Sequence, residues 1–205
     1  MSARDQILDG AAEVMRTRGL ANTTTKEIAR AAGLSEAMLY KVFRDKVDLF
    51  LAVLSERLPP IAVLNDGYAE QAGHESVPDA LEQLAAELLS FYLESFPIAA
   101  SVFSAPDLLA RHREALWERG AGPHRVVESV AAYLSVEQTA GRISSAAGPD
   151  VVAELLVGAC LHRAFLLRFA GEMPRSDQVH RFAADVVNAL KPILDSSVSQ
   201  VLRPA

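Results

Sequence analysis

With 205 residues, half of them hydrophobic, the chain can bury a substantial core in one or two domains, which argues against disorder. Few aromatic residues and no regular alternation of Val, Ile and Thr with polar residues argue against a sheet protein, so helices should dominate. A net charge of −6 speaks against a general coat of nucleic-acid-binding charge, but residues 1–46 carry eight basic against six acidic residues, and 47–205 carry twelve against twenty. Only the N-terminal part suits an anionic partner.

Ile7, Leu8, Ala11, Val14 and Met15 recur at helical spacing over 2–19, where Gly19 is a natural stop. Thr24 opens a second helix, since its hydroxyl can cap the helix and Glu27 can reach back to the cap N–H. That helix ends before Gly33. Ser35 caps a third helix through Phe43, and Asp45 caps a fourth from Lys46 to Leu58, stopped by Pro59-Pro60. Proline and glycine then cut the chain into five more helices: 77–96, 98–119 with a break near Pro106, 123–140, 149–170 and 176–197. A loop is expected over 65–76 and a frayed tail after Ser196. The expected fold is all-α with about nine helices: an N-terminal three-helix domain over 1–46 and a larger helical domain over 47–205.

The segment 24–43 meets the demands of a helix-turn-helix one residue at a time. Ile28, Ala32, Leu34, Leu39 and Val42 supply apolar contacts between crossed helices, Ala29 is small where they approach, and Gly33 sits in the turn, where a left-handed backbone favours glycine. Helix one and Phe43 cover the outer face of the pair.

At these residues the chain resembles the tetracycline-repressor (TetR) family. The resemblance runs from about Ile7 to Phe50 through Ile7-Leu8-Asp9-Gly10-Ala11-Ala12, Gly19, Thr23-Thr24, Ile28-Ala29, Ala32-Gly33-Leu34-Ser35, Leu39-Tyr40, Phe43, Lys46 and Leu49, in the family's order and spacing. Beyond it, only helix number and length are similar. The resemblance implies a homodimeric regulator, a ligand-released repressor on a palindromic operator, with Thr24, Tyr40 and Lys46 contacting phosphates. The chemistry of a helix N-terminus, a phenol and a mobile ammonium supports those roles. Thr25 joins the DNA-binding set beside Thr24. Base reading falls to the third helix in the major groove, through Ser35, Glu36, Ala37, Met38 and Lys41. Glu36, Ala37 and Met38 depart from the basic residue, Gly and hydroxyl residue frequent in the family there. Glu36 could accept from a cytosine amino group or merely complement the helix dipole, and both readings stand.

The C-terminal region is large enough to dimerise and regulate the module. The segment 149–170 is apolar on every side, with Glu154 and Arg163 on opposite sides, one of which should face protein. Val179, Phe182, Val186, Leu190 and Ile193 form a stripe close to a coiled-coil seam, which by resemblance joins the last two helices to those of a second copy; an amphipathic helix against its own core is the other reading. Pro192 should kink or end that helix. Phe91, Tyr92, Phe103, Trp117, His162, Arg163 and Phe165 are the candidates to line a cavity for a small, largely apolar effector, with Arg163 suiting a carboxylate or phosphate on it.

No metal-ligand spacing joins the five histidines, Cys160 has no paired cysteine, and neither a Gly-rich phosphate loop nor a nucleophile elbow occurs, so no cofactor, metal or enzyme activity is expected. Cys160, beside Ala159 and Leu161, reads as a small buried hydrophobe in a reducing cytoplasm. The longest apolar segment, 151–169, is interrupted by Glu154, His162, Arg163 and Arg168, so no membrane partner is expected. A helical ligand-binding or adaptor protein without operator-specific binding is the alternative, and an enzyme the more distant one.

Overall fold

The computed structural model describes residues 1–19, 23–57, 68–118 and 120–195. Among them stand α1 (Ala3–Arg18), α2 (Thr25–Ala31), α3 (Glu36–Val42), α4 (Lys46–Glu56), α5 (Val77–Phe103), α6 (Pro106–Trp117), α7 (His124–Thr139), α8 (Pro149–Ala170) and α9 (Ser176–Leu194), with a 3-10 turn at Tyr68–Gln71 and no strand. The all-α expectation holds. Pro59-Pro60 and the tail after Ser196 lie outside the described residues.

Two compact units form: Met1–Pro59 with Glu94–Gly120, and Pro60–Leu93 with Ala121–Ala205. The first is larger than a three-helix module because later helices add to the same apolar cluster. Ile7, Leu8 and Met15 of α1, Ile28 of α2 and Leu39 of α3 are buried together with Leu49 and Val53 of α4, Ile98 of α5 and Leu108 of α6. Each fully buried aliphatic side chain of this kind contributes about 1.5–3 kcal/mol. Local caps set the helix starts. Ser2, Thr24, Ser35 and Asp45 each accept the N–H three residues on, with α1 and α2 starting in full capping boxes. Arg57 donates to Asp9 at 2.7 Å and Asp5 at 3.1 Å, and Arg4 donates to Glu56 at 2.8 Å, tying α1 to the end of α4.

The second unit packs the first part of α5 with α7, α8 and α9 around Leu84, Leu88, Val130, Leu134, Leu156 and Val187. Cys160 lies in this core with its Sγ 3.5 Å from the Ala85 carbonyl oxygen, and burial pushes the thiol up to about 12, so it remains protonated. Gly171, at φ +73°, ends α8, and the N–H of Glu172 bonds the Leu167 carbonyl at 2.8 Å.

Three details differ from the sequence reading. The break expected at Pro97 is absent: α5 runs through it to Phe103, with Ile98 and Val102 buried just beyond, and the interruption comes before Pro106. The segment expected as a plain loop contains the 3-10 turn, and Gly73, at φ +84°, donates its N–H to Glu137 at 2.9 Å. Glu137 is fully buried and paired with Arg142, which makes burial of its charge tolerable.

The third concerns the last helix. The expected seam on α9 faces the chain's own core: Val179 and Leu190 are buried, Phe182 and Val186 pack against the same cluster, and only Ile193 is exposed. Pro192 lies inside α9, which ends two residues later. On α8, Glu154 and Arg163 are both exposed within the single chain, but the Arg163 guanidinium lies over the Phe182 ring of α9, so one of the two charges faces protein as expected. The second apolar face of α8 is outward, with Val151, Leu155, Leu161 and Phe169 exposed.

Candidate nucleic-acid interface

Thr23, fully buried, donates its hydroxyl to the Gly19 carbonyl at 2.7 Å and so fixes the approach to α2. Thr24 caps that helix: its Oγ1 accepts from the Glu27 N–H at 3.2 Å, and Glu27 accepts from the Thr24 N–H at 3.1 Å. The Thr24 hydroxyl also donates to the Glu27 carboxylate at 2.9 Å, and these bonds hold the carboxyl below the usual carboxylate range. A phosphate reaching Thr24 therefore competes with Glu27.

Gly33 has φ +68° with open space around it, so the turn needs glycine for its backbone alone. The Leu34 N–H bonds the Ala29 carbonyl at 2.9 Å, which closes the turn. Ser35 then caps α3 by accepting the Met38 N–H at 3.2 Å. Within α3, Leu39 is fully buried and anchors one side. Helical periodicity then turns Glu36, Ala37, Tyr40 and Lys41 outward, all exposed, with Met38 half-buried. Tyr40 is 51% exposed, too open for a packing aromatic.

Lys46 begins α4 directly after its cap, where Asp45 accepts the Asp48 N–H at 2.7 Å. Its ammonium lies 5.1 Å from the ring centroid of Phe50, one turn along and buried. Lys46 is half-buried, with its charge directed by that ring rather than freely solvated. The structure thus brings Ser35, Glu36, Ala37, Tyr40 and Lys41 to the outer face of the two-helix unit, with Thr24 and Thr25 at the start of α2.

One contact set is not legible in local sequence. Thr25 donates its hydroxyl to the Glu36 carboxylate, and the Tyr40 hydroxyl donates to Thr25 Oγ1 at 3.5 Å. These residues are eleven and fifteen positions from Thr25, so only the turn brings them together.

Residues 7–53 match the family model described as bacterial regulatory proteins, tetR family. Over these residues the N-terminal module is similar to that family. The tetR-family module is also similar to the HTH-type transcriptional regulator SrpR of Pseudomonas putida, 36% identical over 58 residues, which is 28% of this chain and 27% of that one. A second similar protein is the HTH-type transcriptional regulator YvkB of Bacillus subtilis, 43% identical over 51 residues, or 25% of this chain and 27% of that one. The matched stretch therefore spans about a quarter of the length of these curated relatives. Likeness over the whole chain is structural. A regulator from Mesorhizobium loti assigned to the TetR family superposes with a TM-score of 0.73 at 23% identity, covering 94% of this chain and 96% of that one. A TetR transcription regulator from Haloarcula marismortui gives 0.65 at 17% identity, covering 91% and 97%. The helices that follow the tetR-family module thus share the fold of these regulators.

The residues expected to line an effector cavity are dispersed. Phe103 and Trp117 belong to the compact unit that contains the tetR-family module, and are 73% and 74% exposed. Phe91 and Tyr92 pack against the core of the other unit, edge to face at 5.3 Å, and burial pushes the Tyr92 hydroxyl up to about 12. His162, Arg163 and Phe165 are exposed on α8. Of these seven, Arg163 lines an open cavity of about 280 Å³ between α5, α8 and α9, with its guanidinium 6.0 Å from the Phe182 ring centroid. Leu89, Leu167 and Phe182 form its apolar wall, and Met173 and Pro174 of the α8–α9 turn its rim. Sequence reading passed over the rim because turn residues carry no periodic signal.

Among the described residues, no helix is long and apolar enough to cross a membrane.

Proposed function

We propose that this chain is a one-component transcriptional regulator, a repressor that binds a palindromic operator in the cytoplasm as a homodimer and leaves it when a small molecule binds the helical region. The observation that carries the reading is the outward face of α3, where Glu36, Ala37, Tyr40 and Lys41 are exposed on a helix anchored by the buried Leu39. An α-helix with such a face fits the major groove, and the exposed phenol of Tyr40 and the ammonium of Lys46 are groups that suit flanking phosphates. A second copy is the natural partner for the exposed apolar face of α8, since two of these faces would bury each other.

Selection from a random duplex library with the full chain tests the operator. An inverted repeat with half-sites about one helical turn, roughly 34 Å, apart or somewhat more is expected, and enrichment of no inverted repeat would sink the reading. Ligand release has its own test. A compound found by thermal-shift screening should lose affinity when operator is saturating, by the same roughly 5- to 150-fold factor with which it weakens DNA binding. Equal affinities with and without operator would show that it is no inducer.

A further inference from the structure

Glu36 is a carboxylate on the face that would meet a polyanion, and it accepts a hydrogen bond from Thr25 across the turn. We propose that Thr25 is a positioning residue that presents Glu36 to a cytosine amino group, so that each half-site carries a G·C pair with cytosine at that position. The inference rests on the operator-binding reading above.

The argument starts from the donor and acceptor inventory. A carboxylate only accepts hydrogen bonds, whereas phosphate oxygens, guanine O6 and N7, and thymine O4 also only accept. Glu36 can therefore gain nothing from the DNA backbone, from guanine or from thymine. Adenine offers its N6 amino group beside the N7 acceptor, which repels the second carboxylate oxygen. Cytosine offers N4 with only C5–H beside it on its own base in the major groove, so it is the base that a carboxylate reads best.

Reading a base also needs the carboxylate held in place, because a free Glu side chain turns away from phosphates into water. Thr25 supplies that restraint. Its hydroxyl has one hydrogen, given to Glu36, and lone pairs that accept from Tyr40 at 3.5 Å. Thr25, which holds Glu36, sits on α2, and Glu36 and Tyr40 sit on α3, so the bond ties the carboxylate to both helices of the reading head. No basic side chain is paired with Glu36 among the described residues, where the ion pairs of this region run Arg18 to Glu27 and Arg44 to Asp45. Its charge therefore remains available to a donor from outside the chain.

Random-duplex selection with the full-length chain is repeated with Glu36→Gln, Thr25→Val and Thr25→Ser. Valine keeps the shape of threonine without the hydroxyl, and serine keeps the hydroxyl. The unaltered chain should show a cytosine preference at one position per half-site, by at least about fivefold over other bases. E36Q should move that position towards adenine, which an amide reads bidentately. T25V should flatten the preference there while leaving the other positions, and T25S should restore it. A preference unchanged in T25V, or an E36Q variant that loses thermal stability with its base preferences intact, overturns the inference while the operator reading stands. No enriched duplex with the unaltered chain overturns both.

Discussion

A Cβ placed on Gly10 would stand 2.8 Å from the backbone nitrogen of Ala32, so α1 crosses the end of α2 at a distance only glycine permits. The obstacle is backbone, which cannot turn aside. Alanine at position 10 would gain about 1 kcal/mol of helix propensity, but overpacking of this kind costs about 1–3 kcal/mol. Gly10→Ala should therefore lower the urea midpoint of the first compact unit. Gly33→Ala should lower it as well, through a stability loss of about 1–2 kcal/mol that comes from the positive φ alone, because nothing lies within 4 Å of a Cβ there. Asparagine at position 33 should be milder than alanine, and the reverse order would show that the turn is limited by space.

Lys46 and the α3 face are expected to fail differently. Lys46→Ala removes one charge held over Phe50, so affinity should fall for all duplexes alike and the salt slope should flatten by nearly one counterion. Met38→Ala should instead change which bases are preferred. Salt titrations of both variants on operator and on unrelated DNA separate the two, and an equal loss of sequence preference would refute the division.

The outward face of α8 gives the test of assembly. Leu155 and Phe169 are 50% and 83% exposed in the single chain, so Leu155→Arg with Phe169→Arg should leave helix content unchanged. If that face joins two copies, the double variant should be a monomer at micromolar concentration and bind a palindrome with much lower affinity. A dimer by sedimentation would place the interface elsewhere.

Acid should weaken the first unit. Asp5 is held low by the Ser2 hydroxyl and Arg57, Glu27 by Thr24, Asp45 by the Asp48 N–H, and Glu56 by Arg4. A carboxyl whose folded pKa lies below its unfolded value stabilises the fold above the ordinary carboxylate range and loses that contribution as pH falls through the folded value. The urea midpoint should therefore drop below about pH 4. Asp45→Asn keeps a cap for α4 and should reduce the pH dependence rather than abolish the helix. An unchanged slope in that variant would remove Asp45 from the account.

Sequence alone determined the features that act within a few residues of themselves. The caps at Ser2, Thr24, Ser35 and Asp45, the stop at Gly19 and the left-handed turn at Gly33 each join groups no more than five positions apart, so the chain meets the same partners however the rest folds. On α3 the expected outward residues Glu36, Ala37 and Lys41 are exposed, whereas Met38 is half-buried. Tertiary structure decided the rest. Pro97 looks like a helix end locally, yet α5 continues because Ile98 and Val102 are buried in the core of the first unit. The α9 stripe looks like a seam, yet it is used by the chain's own core, and the face left uncovered belongs to α8. Thr25, Glu36 and Tyr40 meet only across the turn, and Gly10 meets Ala32 only when α1 lies against α2. An apolar face has no preference among apolar partners of similar shape, and a hydrogen bond across a turn exists only after the helices dock, so neither is encoded at the residue where it is read.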